Sequence, residues 1–205
     1  MRKKGSILMA AGLILLAAAL FLTAYNFWDS RRAGQAANDI LQELSMPSEL
    51  QKASETSKWL SESASPASEK PREMPTQEIN GLRCIGVLEV PRYQMRLPVV
   101  CDWDYEKLEL APCVYSGTYE THDLVICGHN YSTHFSRLKY IPLGEDVYFT
   151  TVDGIVYHYE VDNLETVQPN SVEQMISADD WDLTLFTCHN GGQTRCAVRC
   201  VSVDE

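Results

Sequence analysis

The stretch Asp182-Leu183-Thr184-Leu185-Phe186-Thr187-Cys188, followed by His189-Asn190-Gly191-Gly192-Gln193-Thr194-Arg195, decides most of what this sequence can be. Its first part reads as an apolar strand ending in a cysteine, and Thr194–Val203 reads as a second strand. An antiparallel hairpin around the six-residue loop His189–Thr194 sets Cys188 opposite Arg195 and Thr184 opposite Arg199. Facing residues point to one side of a sheet, so a cation is expected within reach of the Cys188 thiol. Such a cation favours thiolate over thiol. Arg199 shares that face but lies about 13 Å further along at roughly 3.3 Å per residue, so it is expected to be an ordinary surface side chain.

A second strand end supplies a base. Leu124-Val125-Ile126-Cys127-Gly128-His129-Asn130 is an apolar run closing on Gly-His. A cysteine and a histidine held at separate strand ends are the usual arrangement of a thiol nucleophile with its basic partner. Cys127, two residues before His129, is expected on the other face of its strand, as a poor rival nucleophile. His189 is the rival base. His122, His134 and His158 read as loop or strand-surface residues.

Around these two runs the chain after Gly81 is a succession of short β-branched and aromatic segments. The expected strands are Leu82–Val90, Gln94–Val100, Asp123–Cys127, Asp146–Thr151, Ile155–Asp162, Leu183–Cys188 and Thr194–Val203. Asp153-Gly154 marks a hairpin. Short helical pieces are expected near Tyr105–Leu110, Phe135–Ile141 and Val172–Ser177. Seven or more strands in about 125 residues fit a closed barrel or a sandwich.

The N-terminal part is of another kind. Gly5 to Trp28 contains no charge, and at about 1.5 Å per residue such a helix crosses a hydrocarbon core of about 30 Å. Arg2, Lys3 and Lys4 before it favour a cytoplasmic N-terminus. A cleaved signal peptide would have a shorter apolar core, and Leu22-Thr23-Ala24 lacks a small residue where cleavage requires one. The expected organisation is a tail at 1–4, a transmembrane anchor at 5–28, a juxtamembrane helix and flexible stalk at 29–78, and one domain at 79–205. Ala37, Ile40, Leu41 and Leu44 recur at helical spacing just after the anchor. The Ser-, Glu-, Lys- and Pro-rich run from Ser45 to Glu78 has spacer composition. All 28 acidic residues follow the anchor but only 14 of the 17 basic ones do, so the part beyond it carries a formal charge of −14. That balance keeps the domain soluble and excludes nucleic acid as a partner.

Gly128-His129, the Thr184-Leu185-Phe186-Thr187-Cys188 strand and Arg195 seven residues later together resemble the sortases, over about residues 82–203. The anchor and stalk suit that family, which stands on the outside of Gram-positive membranes. The resemblance implies a mainly β fold, a closed eight-stranded barrel with short helices behind a transmembrane helix and stalk. It implies a cysteine transpeptidase that cuts an LPXTG-like C-terminal sorting signal and passes the acyl group to an amine, from a cell-wall precursor or a pilin lysine. By motif, Cys188 is the nucleophile, His129 the acid and base, and Arg195 the holder of the carbonyl oxygen. Thr187 is a weaker candidate for a supporting role. No metal or organic cofactor is implied. Some sortases respond to calcium, but the acidic runs Asp102–Glu109 and Asp179–Asp182 read first as solvated faces.

The class stays open. No second hydrophobic segment follows the last strand, which argues against pilin-polymerising enzymes with two anchors and a lid. Asn130 is reminiscent of class B, whereas the interval Val161 to Leu183 is short for the insertion class B carries. Cys84, Cys101, Cys113, Cys127, Cys196 and Cys200 are many for this family, and six cysteines allow 15 pairings. Cys196, Val198 and Cys200 are expected to pack on the face opposite Arg195. The rival from another class is a non-catalytic, membrane-anchored β-domain holding a metal through Cys127, His129, Cys188 and His189, although tight Cys-x-x-Cys or His-x-x-x-His pairs are lacking. A secreted cysteine hydrolase is the third reading.

Overall fold

The computed structural model describes residues 2–44, 74–177 and 180–203. Most of the expected stalk, Ser45 to Glu78, therefore lies outside the described residues. A single helix, α1, runs from Arg2 to Glu43, so the segments expected as anchor and juxtamembrane helix are one continuous element. Its first part is apolar and exposed, with Leu13, Ile14, Leu20, Phe21 and Trp28 all facing outward. The helix is long and apolar enough to cross a membrane. Its last part carries a different pattern. Ser30, Ala33, Ala37, Ile40 and Leu44, spaced three or four apart, are buried against the β-domain.

That domain is built from β1 (Gln77–Ile79), β2 (Leu82–Val90), β3 (Met95–Val100), β4 (Cys113–Ser116), β5 (Leu124–Gly128), β6 (Asp146–Thr151), β7 (Val156–Val167), β8 (Leu183–His189) and β9 (Thr194–Ser202). Two one-turn helices, α2 (Tyr105–Leu108) and α3 (Val172–Ile176), and a 3-10 helix at Phe135–Tyr140 lie in the connections. The strand order β2-β3-β4-β5-β8-β9-β7-β6 returns to β2, which closes an eight-stranded barrel. β1 adds to β2 at Gln77↔Cys84, beyond the stretch that β6 covers.

The seven expected strands are present with end shifts. β7 runs five residues further than expected, to Val167, and β1 and β4 were not anticipated. β4 is four residues long, follows Pro112, and meets β3 at the single position Val100↔Cys113, so it has little pattern to read. Asp153-Gly154 does make the β6–β7 turn. Gly154 adopts φ +87 there, and Thr151 Oγ1 bonds the Asp153 carboxylate.

Alternation sorts the side chains into two layers. Ile85, Leu88, Leu97, Ile126, Phe149, Tyr159, Leu185, Val198 and Cys200 fill the barrel. Cys84, Val87, Val100, Cys113 and Cys127 lie outside it in a second cluster, capped by Ile40 and Leu44 of α1. A third outer cluster, Val125, Val167, Met175 and Ala197, is covered by α3. Cys196 and Cys200 point away from Arg195, as the alternation demanded, and all seven cysteines are free thiols.

Candidate active site

The β8–β9 register pairs Cys188 with Arg195 and Thr184 with Arg199, the pairing expected from the sequence. β8 extends one residue further than expected, so His189 faces Thr194 and the connecting loop shrinks to four residues. What the sequence could not supply is the neighbour of β8 on its other edge. β5 runs parallel to β8, with Cys127↔Phe186 and Gly128↔Thr187. The next residues on these adjacent strands are His129 and Cys188. Strands lie about 4.8 Å apart, so the thiol and the imidazole emerge side by side on the outer face, with Arg195 on the far flank.

All three half-buried side chains line one cleft of about 220 Å³. Gly128 is required at its mouth, since a Cβ there would lie 2.6 Å from the Phe135 ring. Arg195 Nη1 donates to the carbonyl oxygens of Gly192 (3.0 Å) and Thr194 (3.1 Å), which ties the guanidinium to the loop beside Cys188. The cleft wall is aromatic. Phe186 meets Tyr115 edge to face at 5.1 Å, and Tyr115 packs on Trp103 at 5.7 Å. Val172 and Met175 of α3 complete the apolar side. None of these wall residues stood out in sequence, because aromatics scattered over 80 residues carry no spacing signal.

His129 is supported from α1. Its ring lies 4.8 Å from that of Tyr131, whose hydroxyl bonds the Asp29 carboxylate. Ser132 N–H donates to Ser30 Oγ (3.0 Å) and Thr133 Oγ1 to the Ser30 carbonyl (2.8 Å), so the loop after His129 is laced to the helix. Burial lowers the His129 pKa, and the carboxylates of Glu109 and Asp29 act against that shift.

Several expectations need correction. Arg199 is not a surface residue. It is fully buried, with bonds to Glu165 (2.7 Å), the Met175 carbonyl (2.9 Å), Thr184 Oγ1 (2.9 Å) and the Gln174 carbonyl (2.6 Å). α3 covers that end of the face, which converts a strand-surface cation into the anchor of the helix. Cys127 faces the same cleft as His129, because residues two apart on a strand share a face. Its thiol donates to the Cys113 carbonyl, and burial pushes its pKa up to about 12, which keeps it protonated. Burial likewise pushes Cys84 and Cys196 up to about 11. His134 is buried at 1% exposure, not at the surface. His122 pairs with Asp182 (3.0 Å) and His158 with Asp146 (2.7 Å).

The proposed metal set fares poorly. His189 alternates away from Cys188, Cys127 is engaged with a carbonyl, and no three His, Cys, Asp or Glu side chains gather among the described residues. In the acidic run, Asp104 caps α2 by accepting from Lys107 N–H, and Asp102 pairs with Lys107 Nζ at 2.6 Å. Thr187 is buried with its hydroxyl unpartnered.

Comparison with known proteins agrees with the geometry. The sortase domain family model matches residues 88–203. No curated protein matches the chain. Among similar solved structures is sortase A from Corynebacterium diphtheriae, at 26% identity and a TM-score of 0.52, covering 60% of this chain and 62% of that one. A sortase D5 transpeptidase of Clostridium perfringens is 15% identical with a TM-score of 0.56, covering 83% and 97%. Sortase C of Streptococcus pneumoniae, whose structure is described with reference to pilin substrate specificity, is 20% identical with a TM-score of 0.54, covering 83% and 97%.

Proposed function

Since the chain belongs to the sortase family, we propose that it is a membrane-anchored cysteine transpeptidase with Cys188, His129 and Arg195 as its catalytic residues. The observation that carries this reading is the meeting of the β5, β8 and β9 ends in one cleft, with a thiol between an imidazole and a guanidinium. Its substrate is a protein bearing an LPXTG-like C-terminal sorting signal, extended along the aromatic wall. N-terminus inside and catalytic domain outside is the orientation that the Arg2-Lys3-Lys4 tail favours.

In the first half-reaction the Cys188 thiolate attacks the carbonyl carbon of the Thr–Gly bond. The tetrahedral oxyanion takes hydrogen bonds from Arg195. The C–N bond breaks as His129 gives its proton to the departing glycine amine, leaving a thioester. In the second, an amine attacks the thioester, His129 takes the amine's proton, and the C–S bond breaks to restore the thiolate. The acceptor is an amine of a cell-wall precursor or a pilin lysine. Both half-reactions use the Cys188 sulfur, as nucleophile in the first and leaving group in the second.

The test uses the full chain in detergent with fluorogenic sorting peptides, with and without an amine acceptor. Turnover that doubles its product into an amine adduct, and that disappears in Cys188→Ala, is the expected result. Full activity in Cys188→Ala overturns the mechanism, and product formed with water alone assigns a hydrolase instead.

A further inference from the structure

A second cavity is larger than the catalytic cleft. About 520 Å³ opens between α1 and the barrel wall, and its lining includes Arg31, Arg96, Arg137, Tyr93, Ser132 and His134. No acidic residue lines it, although the part of the chain beyond the anchor carries −14. Arg96 Nε is paired with Glu89 from outside the lining (2.8 Å). Arg31 lies over the Phe27 ring at 4.5 Å, and Arg137 Nη1 donates to the Tyr93 carbonyl (3.3 Å). Even with Glu89 counted, the site retains an excess of two positive charges.

Its polar groups are incomplete. His134 is 1% exposed, and its ring bonds the Ala33 backbone of α1. The Tyr93 hydroxyl is buried and has no hydrogen-bond partner among the described residues. Buried polar groups are rarely left unpaired, so an unpaired hydroxyl beside three guanidiniums points to a missing acceptor.

The position along α1 identifies the kind of acceptor. Trp28 is the last interfacial aromatic of the apolar run, and Arg31 follows about 4.5 Å further along the helix axis. Headgroups occupy roughly 5–8 Å on each side of the hydrocarbon core, so the Arg31 edge of the cavity sits at phosphate level and Asn38, about 15 Å beyond Trp28, sits above it. We propose that this cavity binds a phosphate group presented by a membrane amphiphile, with the three guanidiniums neutralising it and the Tyr93 hydroxyl adding a hydrogen bond. Bidentate geometry makes arginine suited to phosphate oxygens. The inference rests on α1 being the membrane anchor.

The experiment titrates the full chain, in a phosphate-free maltoside micelle, with short-chain phosphatidylglycerol, a neutral glycolipid of the same chain length, and inorganic pyrophosphate. Thermal stability and an isotherm are the readouts. Saturable binding of phosphatidylglycerol but not of the glycolipid is expected. The triple variant R31Q/R96Q/R137Q should weaken it by about 10-fold or more, and Tyr93→Phe by a smaller factor, with turnover of a soluble peptide unchanged in both. Equal binding by the triple variant, or no preference over the glycolipid, overturns the site. Pyrophosphate bound more tightly than the lipid overturns the membrane source. Flotation of the full chain with neutral vesicles tests the anchor separately, since the micelle titration does not depend on insertion.

Discussion

Arg195 and Arg199 share one face of β9, four residues apart, yet their surroundings assign them opposite duties. Arg195 is half-buried at the cleft and tied only to loop carbonyls, whereas Arg199 is fully buried in a network with Glu165, Thr184 and the α3 carbonyls. Arg195→Ala is expected to cost a factor of order 10²–10³ in kcat/KM, as for loss of an oxyanion donor, with little change in Tm. Arg199→Ala removes the cation paired with Glu165 and the donor to the Met175 and Gln174 carbonyls, and should cost about 3–5 kcal/mol of stability, read as a lower Tm. Activity alone does not separate the two variants, because unfolding also abolishes turnover; Tm does. On the proposed mechanism the pH dependence belongs to His129. Glu109 and Asp29 oppose the burial that lowers its pKa, so Glu109→Gln or Asp29→Asn should move the His129 limb of the kcat/KM profile to lower pH. Arg32 bridges both carboxylates, at 2.8 and 3.3 Å, so Arg32→Gln should move that limb the other way. Limbs that stay put in all three variants would show that the profile reports another group.

Helix α1 carries two patterns along its length, and only the second meets the barrel. Within the buried stripe Ser30, Ala33, Ala37, Ile40 and Leu44, the last two cover the outer cluster around Cys84, Val87 and Cys113, and Gly34 leaves room for Thr133, whose Cγ2 would lie 2.8 Å from an added Cβ. Ile40→Ala should destabilise the domain by about 2–4 kcal/mol, typical of a buried Ile truncation, and lower Tm accordingly. An unchanged Tm would mean that the helix is a tether alone. A fragment starting at residue 79 lacks the whole stripe and is expected to expose that apolar cluster. The spacing of Ala37, Ile40 and Leu44 was legible as an amphipathic face, but its partner was not, because contacts between residues 40 and 113 leave no local mark. The same reasoning explains the hairpin. Cys188 and Arg195 are seven residues apart, and a short loop fixes their register. Cys127 was misjudged by a face count, and the two-residue period itself corrects it.

For the molecule as a whole, closure depends on the approach of β2 to β6. At Gly86 an added Cβ would lie 2.2 Å from the Thr150 carbonyl oxygen, inside any tolerable contact. Gly86→Ala should therefore open the seam or displace β6, seen as faster amide exchange in β6 and β2 than in β5 and β8. Uniform exchange rates across the barrel would show that the seam is not the strained element.

The sequence alone determined an N-terminal helix long and apolar enough to cross a membrane, the β-rich class, the candidate Cys–His–Arg set and the register that joins two of its members, since each rests on composition or on neighbours within a few residues. Tertiary structure decided the rest. Parallel pairing of β5 with β8 put His129 beside Cys188, α3 turned Arg199 from a surface cation into a buried one, and α1 became part of the site's support. Those outcomes depend on which distant elements meet, and burial and pKa follow from that meeting and not from residue type.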